Sequence, residues 1–257
     1  MEKILILQSH RQPLPKDWLT PCVDSVKNWA QLKGYEYQFL NDTFFDILPT
    51  WVIEKTQSQI VIATDLARLR WIQRNLNAGY DCVMWMDADF LIFSPHTFDI
   101  ETLRQAPEGY ALGREIWVQP KDLEHPTPTQ FKAYKKVHNA FLQFQKGNHF
   151  LNFYASHAER LLAKNKGQTP PQFIGPKLLT ALHNIVQCPV QENAGMLSPW
   201  LIKDKLNNEG PALSLYRKGN HHPLAAANLC SSLIDNEVLH DKDIETLIEQ
   251  LLATNVF

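Results

Sequence analysis

Residues 82–93 read CVMWMDADFLIF, an apolar run that only two aspartates interrupt. Its first five residues have the length and composition of a β-strand buried on both faces, as in the parallel sheets of α/β proteins. Asp87 and Asp89 follow that strand directly, and residues two apart on an extended chain point to the same side. Because ligands of open α/β sheets bind beyond the carboxyl ends of the strands, the sequence predicts an α/β fold with both carboxylates at a ligand crevice.

The chain before this run predicts a β-α-β unit. Residues 3–7 form a short apolar stretch of strand type, and apolar residues recur at helical spacing over 18–30 until Gly34. Residues 35–39 alternate apolar and polar side chains, which indicates a second strand. A right-handed crossover is expected, followed by a longer helix over 54–77 that leads into the third strand.

The rest of the chain shows weaker patterns. The expected elements are strands near 110–112 and 140–144, a proline-containing surface loop over 119–130, and helices over 149–164, 175–183 and 241–253. No internal repeat, low-complexity tract or Pro/Gly-rich linker marks a domain boundary. A chain of 257 residues with this pattern predicts one domain.

Composition and charge narrow the class of protein. Apolar residues make up 44% of the chain and charged residues 20%, a balance that argues against intrinsic disorder. The formal net charge is −2, and the one short cationic stretch, 132–136, is typical of a solvated face, so no nucleic-acid partner is expected. No apolar run approaches the ~20 residues of a membrane helix, which leaves only peripheral contact with a membrane open.

The cysteines and the first residues indicate the compartment. The four cysteines are far apart and form no CxxC pair, which excludes a thiolate zinc site and a small disulfide-bonded domain. The first residues carry too few apolar side chains for a signal peptide. We therefore expect a soluble protein of the reducing cytoplasm.

The two aspartates favour a metal site. Two carboxylates on one side of the chain repel each other, so their pairing is costly unless a cation joins them. Mg²⁺ and Mn²⁺ prefer carboxylate oxygens and usually bring substrate phosphates with them. An isolated pair often serves only as a turn, with Asp87 starting it and Asp89 capping it. The apolar residues on both sides, up to Phe93, argue against an exposed turn and favour the metal.

Another class with an Asp-x-Asp pair after an apolar strand is the haloacid-dehalogenase-type phosphatases. Their pair normally follows the first strand of the chain, and the fifth position of the motif is Thr or Val. Here the strand is the third, and the fifth position is Leu91. The pattern therefore favours a different class.

Three segments in chain order carry a more specific resemblance: 64–68 (TDLAR), 77–80 (NAGY) and 85–89 (WMDAD). They resemble the sugar-binding DxD family of GT-A glycosyltransferases, which includes capsular polysaccharide enzymes, Golgi mannosyltransferases and α-1,4 hexosyltransferases. Its members read roughly Ser-Asp-x-x-Arg in a helix, then Gly-Gly-x-Tyr, then a strand ending in Asp-x-Asp. The resemblance implies a GT-A type, Rossmann-like nucleotide-sugar-binding domain with a mostly parallel sheet flanked by helices. Residues 1–93 would form the nucleotide-sugar-binding half, and 94–257 the acceptor-side half with the C-terminal segment.

The resemblance also assigns roles to individual residues. Asp89 would ligate the cation directly, and Asp87 would contact the ribose and the metal shell. Asp65 and Arg68 would hold hydroxyls of the donor sugar. Their i,i+3 spacing on a helix lets them pair and face one crevice, although a plain surface ion pair explains that spacing about as well.

Two later segments extend the resemblance. Residues 138–140 (HNA) and 174–176 (IGP) are similar to the family's acceptor-side segment and to its Gly-Pro helix start. The resemblance therefore makes Asn139, Gly175 and Pro176 candidates for substrate binding.

A further metal ligand near the C-terminus, commonly a histidine, is also typical of the family. His221 and His222 are the candidates by position, with His221 slightly favoured, although an adjacent pair in a loop is otherwise more often a surface feature. The family's Ser-Trp after this histidine is missing, and Ala227-Asn228 stands in the neighbourhood. The family's Trp near the first strand, a candidate for stacking on the base, is replaced by residues 8–11 (QSHR).

The implied function is a metal-dependent glycosyltransferase that moves a hexose from a UDP- or GDP-sugar to a saccharide or glycolipid acceptor. Retention at the anomeric carbon and Mn²⁺ or Mg²⁺ as the cofactor are implied as well. A catalytically silent protein that binds nucleotide sugars or carbohydrates is the alternative from another class. A sugar-phosphate nucleotidylyltransferase shares the general fold but should open with a Gly-rich basic loop, and residues 8–16 hold no glycine.

Overall fold

A computed structural model describes residues 2–101, 106–122, 130–233 and 238–257. The described strands are β1 Ile4–Ser9, β2 Glu36–Leu40, β3 Cys82–Met86, β4 Phe90–Ile92, β5 Tyr110–Pro120, β6 Phe131–Gln145, β7 Val190–Gln191, β8 Ala194–Met196 and β9 Ala226–Asn228. The described α-helices are α1 Leu19–Lys33, α2 Thr50–Thr56, α3 Ile60–Asn77, α4 His149–Lys164, α5 Pro176–Val186, α6 Pro199–Leu206, α7 Pro211–Gly219 and α8 Asp241–Thr254. Short 3₁₀ segments span Asp42–Ile47, Gln57–Gln59 and Ser231–Leu233.

Six strands form the central sheet, in the order β2-β1-β3-β6-β5-β7. Strand β1 is parallel to β2 and β3, β6 is antiparallel to β3 and β5, and β7 is parallel to β5. Because β2, β1 and β3 run in the same direction, their last residues, Leu40, Ser9 and Met86, lie along one edge of the sheet. The predicted β-α-β unit and third strand are confirmed.

A second sheet of three strands has the order β4-β9-β8. Strand β9 is antiparallel to β4, with Phe90 opposite Asn228, and parallel to β8. The sequence did not predict these strands, because three residues are too few for a recognisable period. Their pairing brings the C-terminal part of the chain beside the two aspartates that follow β3.

Strands β5 and β6 form a long antiparallel hairpin. The strands predicted near 110–112 and 140–144 are only parts of it, and the predicted loop over 119–130 is shorter than expected. Strand β5 continues to Pro120 and β6 begins at Phe131, while residues 123–129 lie outside the described chain. Residues 115–119 (EIWVQ) alternate between cleft-facing and apolar core positions, the period of two that a strand requires.

The predicted helices are present at the expected positions, but the bounds of several differ from the prediction. Helix α1 ends as predicted, because Gly34 adopts a left-handed conformation (φ 73°) that caps its last turn. The helix predicted over 54–77 is divided into α2 and α3 by the 3₁₀ turn at Gln57–Gln59. Helices α6 and α7 were missed, and the signals for them are Pro199 and Pro211, since the first turn of a helix tolerates proline.

Apolar side chains cover both faces of the central sheet. Along β1, Ile4 and Ile6 belong to a cluster with Trp29 of α1, while Leu5 and Leu7 belong to a cluster with α3 and α4. Successive residues of a strand point to opposite faces, which explains this alternation. A third cluster joins the small sheet to α6, α7 and α8. None of the described helices is long and apolar enough to cross a membrane.

Candidate active site

A cleft of about 720 Å³ opens at the edge of the sheet where β1, β2 and β3 end. Its walls come from the residues that follow these strands, from α3, from the β5–β6 hairpin and from the segment after β9. Of the predicted site residues, the cleft brings together Asp65, Arg68, Asp87, Asp89, Asn139 and Pro176. This is the edge at which open α/β sheets bind their ligands.

Asp87 is held in place at the end of β3. Its Oδ1 accepts a hydrogen bond from Trp85 Nε1 (2.6 Å) and lies 3.1 Å from Arg68 Nη1. The backbone N–H of Asp87 donates to the Ala140 carbonyl, and the backbone carbonyl of Asp87 accepts a hydrogen bond from Gln8 Nε2. The side chain remains 26% exposed, so the carboxylate is both fixed and accessible from the cleft.

The charge of Asp87 is unfavourable without a further cation. Burial raises the pKa of Asp87 to about 6, the Arg68 guanidinium opposes this rise, and the neighbouring carboxylate of Asp89 adds to it. A divalent cation between the two carboxylates would reverse the balance, because it would stabilise the ionised form of both.

Asp89 is 8% exposed, and each of its carboxylate oxygens has a partner. Oδ1 accepts a hydrogen bond from Asn228 Nδ2 (2.6 Å), and Oδ2 accepts one from the backbone N–H of Ser231 (2.7 Å). Asn228 and Ser231 were not among the predicted site residues. The one sequence signal that could have found them is the polar Asn228 inside the otherwise apolar run 224–230.

His221 and His222 lie elsewhere. Both are exposed in the loop between α7 and β9, and neither lines the cleft. Because β9 is antiparallel to β4, the end of β9 reaches Asp89, whereas the loop before β9 lies at the far end of β4. The structure therefore does not bring either histidine to the carboxylates, and it places Asn228 and Ser231 there instead.

Helix α3 contributes a second polar group, which consists of Asp65 and Arg68, one helical turn apart. Asp65 Oδ1 accepts a hydrogen bond from Asn139 Nδ2 (2.8 Å) and lies 3.6 Å from Arg68 Nη2. Arg68 also donates from Nη1 to the Asn139 carbonyl (2.7 Å). The i,i+3 pair that the sequence suggests does form, but it is buried and linked to Asp87 through Arg68 rather than lying on the surface.

The other oxygen of Asp65 has no hydrogen-bond partner in the described part of the chain, although it is fully buried from solvent. Burial raises the pKa of Asp65, against the opposing effects of Arg68 and Asn139. An unsatisfied buried acceptor costs about 1–3 kcal/mol.

Gly175 and Pro176 bring the start of α5 against Asp65. A Cβ at Gly175 would overlap Asp65 Oδ2, so only glycine permits this approach. Pro176 is in the first turn of α5 and lines the cleft. The two residues therefore shape the surroundings of the unpartnered oxygen.

His138 fixes the part of β6 that contacts the site. Its ring nitrogens engage the Ala194 carbonyl (3.1 Å) and the Ala140 N–H (3.2 Å), and burial lowers the pKa of His138 to about 4, so the ring is neutral. The ring packs against Gly113, where the β5–β6 register shifts and any Cβ would overlap it. This contact supports Asn139, whose side chain holds Asp65.

The donors at the carboxylate pair fit a hard divalent cation. Asp87 and Asp89 supply carboxylate oxygens, whereas no group of three or more His, Cys, Asp or Glu side chains among the described residues could hold a metal by itself. Mg²⁺ typically takes one or two carboxylates and completes its shell with water and substrate phosphates. The residues therefore fit a cation that a bound diphosphate completes.

The sheet order and the cleft at its edge define a mixed α/β fold with a six-stranded sheet flanked by helices. No protein-family model and no curated protein matches the chain. Among solved structures, the chain is similar to a glycosyltransferase involved in the glycosylation of the major capsid of PBCV-1. The identity is 12% and the TM-score 0.54, over 96% of this chain and 99% of that one. This likeness shows the fold, and the predicted GT-A type α/β class is confirmed.

Two further solved structures are less similar. One is A197 from STIV, with 12% identity and a TM-score of 0.34 over 73% of this chain and 80% of that one. The other is mouse xyloside xylosyltransferase 1, with 10% identity and a TM-score of 0.44 over 90% of this chain and 98% of that one. Neither TM-score is high enough to carry an argument about this protein.

Proposed function

We propose that the protein is a metal-dependent glycosyltransferase that moves a hexose from a nucleotide sugar to a saccharide or glycolipid acceptor. The observation that carries the proposal is that one cleft is lined by two carboxylates after β3 and, beside them, by the Asp65–Arg68 pair of α3. The first group suits a cation with a diphosphate, and the second suits a sugar hydroxyl. A nucleotide sugar carries both.

Asp87 and Asp89 hold Mn²⁺ or Mg²⁺, and through it the diphosphate of the donor. Asp89 is positioned by Asn228 and Ser231, and Asp87 by Trp85. Groups fixed in this way lose little conformational freedom when they bind, which favours tight and specific ligation.

Asp65 and Arg68 recognise the sugar. Asp65 lines the cleft beside the carboxylate pair, and Arg68 lies between Asp65 and Asp87, at the junction of sugar and diphosphate. The nucleoside occupies the part of the cleft lined by residues 9–11 after β1 and by Asn41 and Asp42 after β2. The base is uracil or guanine in this proposal.

Transfer breaks the bond between the anomeric carbon and the diphosphate oxygen, and the electron pair of that bond leaves on the nucleoside diphosphate. A hydroxyl oxygen of the acceptor forms the new bond to the same carbon, and its proton passes to the departing diphosphate. A bound cation stabilises the negative charge that develops on the leaving group. Retention at the anomeric carbon, which the family resemblance implies, requires the new bond to form on the face that the diphosphate leaves.

A melting-temperature screen of UDP-, GDP-, ADP- and CMP-sugars, with and without Mn²⁺, tests the donor. A ligand at about 100 times its dissociation constant stabilises the folded protein by about 2.7 kcal/mol. We expect a shift from a UDP- or GDP-sugar that needs Mn²⁺ and that EDTA abolishes. Equal affinity by calorimetry with and without Mn²⁺ would refute the role given to Asp87 and Asp89.

Release of nucleoside diphosphate separates an enzyme from a silent binding protein. A transferase should hydrolyse its donor slowly in the presence of Mn²⁺ even without an acceptor, since water can take the acceptor's place. Binding without any release of nucleoside diphosphate would favour a protein that only binds nucleotide sugars.

A further inference from the structure

The β5–β6 hairpin forms one wall of the cleft. Cross-strand pairing sets Glu115 opposite Lys136 and Trp117 opposite Tyr134. Residues two apart on a strand share a face, so these side chains project together from one side of the hairpin. We call this surface the hairpin strip; it consists of the cleft-lining residues Glu115, Trp117, Gln119, Tyr134 and Lys136.

Glu115 forms the inner end of the hairpin strip. Its side chain is 7% exposed, and among the described residues it makes no hydrogen bond and no ion pair within 4 Å. Its charge acts on the buried Cys230 thiol together with the charges of Asp89 and Asp87, so the inner end of the hairpin strip lies near the carboxylate pair. Its oxygens keep access to solvent in the cleft, where a hydroxyl group of a ligand can donate to them.

Trp117 lies one strand repeat farther out, about 7 Å from Glu115 at ~3.3 Å per residue. Its indole N–H donates to Gln119 Oε1 (2.9 Å), which fixes the ring. No other ring or cation among the described residues stacks on it, whereas Lys132 and Lys136 lie over the ring of Tyr134. Trp117 is therefore the aromatic face of the strip that remains available to a ligand.

We propose that the hairpin strip is the acceptor subsite, in which Trp117 stacks on a pyranose ring and Glu115 accepts a hydrogen bond from the hydroxyl that receives the sugar. The assignment rests on the proposed glycosyl transfer. A hexopyranose ring is about as long as the spacing between the two residues, and its C–H faces suit an aromatic ring while its hydroxyls suit a carboxylate. The strip faces a cleft that Asp65 and Arg68 also line, so donor and acceptor would meet between them.

Saturation-transfer NMR with methyl α- and β-glycosides of glucose, galactose and mannose, and with their disaccharides, tests the subsite. At least one of these saccharides should bind the wild-type protein, and Trp117→Ala should weaken it about tenfold or more, while Trp117→Phe should largely restore binding. Trp200→Phe is the matched control, because Trp200 is also half-buried but packs against Phe131 outside the cleft. The Mn²⁺-dependent melting-temperature shift with donor verifies that each variant is folded.

The role of Glu115 is tested by the ratio of two reactions of the donor, transfer of its sugar to the saccharide and hydrolysis by water. Glu115→Ala should lower the ratio of transfer to hydrolysis about tenfold, and Glu115→Gln, which keeps an acceptor oxygen, should lower it less. A ratio is insensitive to a loss of folded enzyme. An unchanged ratio in Glu115→Ala, unchanged saccharide binding in Trp117→Ala, or no binding by any saccharide would overturn the acceptor assignment while leaving the donor site intact. Trp117-dependent saccharide binding without any binding of a nucleotide sugar would instead overturn the proposed transferase and retain the carbohydrate site.

Discussion

The carboxylate wall of the cleft, formed by Asp65, Arg68, Trp85, Asp87 and Asp89, contrasts with the hairpin strip. On the carboxylate wall, nearly every polar group is fixed by a second one, and Asp65 Oδ2 is the exception. On the strip, Glu115 has no hydrogen-bond partner among the described residues.

The difference indicates two kinds of ligand recognition. A network of fixed donors and acceptors is already arranged for one ligand chemistry, as the charged diphosphate of a donor requires. An aromatic ring with a buried carboxylate beside it tolerates more variation in the ligand, as a site for acceptors does. The variants below are ordered from the largest expected effect to the smallest, and each tests one side of this contrast.

Replacement of Asp89 should have the largest effect. We expect Asp89→Ala to reduce Mn²⁺-dependent turnover at least about a hundredfold, because the proposed direct metal ligand is lost. The melting temperature of the ligand-free protein should also fall, since Asn228 and Ser231 lose their acceptor. Turnover measured over a Mn²⁺ titration checks this, with Asp46→Asn, an exposed aspartate outside the cleft, as the control. Retained Mn²⁺-dependent turnover in Asp89→Ala would reduce Asp89 to a structural residue.

Gly113→Ala tests the contact through which the hairpin supports the carboxylate wall. The added Cβ would overlap the ring of buried His138, so we expect a loss of about 1–3 kcal/mol in the free energy of unfolding. Gly167→Ala is the matched control, because a Cβ there meets no atom within 4 Å. Urea unfolding of both variants measures the difference. Equal stability of the two variants would mean that the backbone at Gly113 shifts to accommodate the added methyl group. The contact between Gly113 and His138 would then not link the hairpin to the carboxylate wall.

Arg68→Ala tests the division of the carboxylate wall between sugar and diphosphate. We expect about a tenfold loss in affinity for the nucleotide sugar and a clearly smaller loss for the free nucleoside diphosphate. Calorimetry with both ligands measures the difference. Arg70→Ala is a suitable control, because Arg70 also lies on α3 but pairs with Glu159 away from the cleft. Equal losses for the two ligands would assign Arg68 to the phosphates through its contact with Asp87.

The carboxylate wall was largely predictable from sequence, and the hairpin strip was not. Asp65, Arg68, Asp87 and Asp89 stand in elements with a strong local period, and the strand end fixes where the carboxylates point. Asn228 lies 139 positions after Asp89, and only the pairing of two three-residue strands brings them together.

The hairpin strip was not predicted because the prolines between β5 and β6 suggested a loop that begins at residue 119. In the structure, β5 continues to Pro120 and β6 begins at Phe131. A local pattern can identify an element and its exposed face, but it does not show which distant element packs against it. For that reason neither Glu115 nor Trp117 was recognised as a site residue from the sequence.

Glu115→Gln should have the smallest effect on glycosyl transfer, because it keeps an acceptor oxygen, and its effect on stability has a defined sign. Burial raises the pKa of Glu115 from 4.5 to about 7, while Lys136 on the facing strand opposes the rise. Between these two values the folded protein holds a proton that the unfolded chain has released. The contribution of Glu115 to the free energy of unfolding therefore falls as the pH rises from about 4.5 to about 7, and is constant above that range.

The glutamine variant stays neutral and lacks this titration, so the wild-type protein should lose about 1–3 kcal/mol relative to Glu115→Gln between pH 5 and pH 8. Urea unfolding at unit intervals of pH measures this difference, and Glu54→Gln, an exposed glutamate on α2, controls for the general effect of losing one charge. Parallel pH curves for the wild type and Glu115→Gln would mean that Lys136 already compensates the buried charge. Glu115 would then be one half of an ordinary cross-strand ion pair, and the contrast between a satisfied wall and an unsatisfied strip would rest on Trp117 alone.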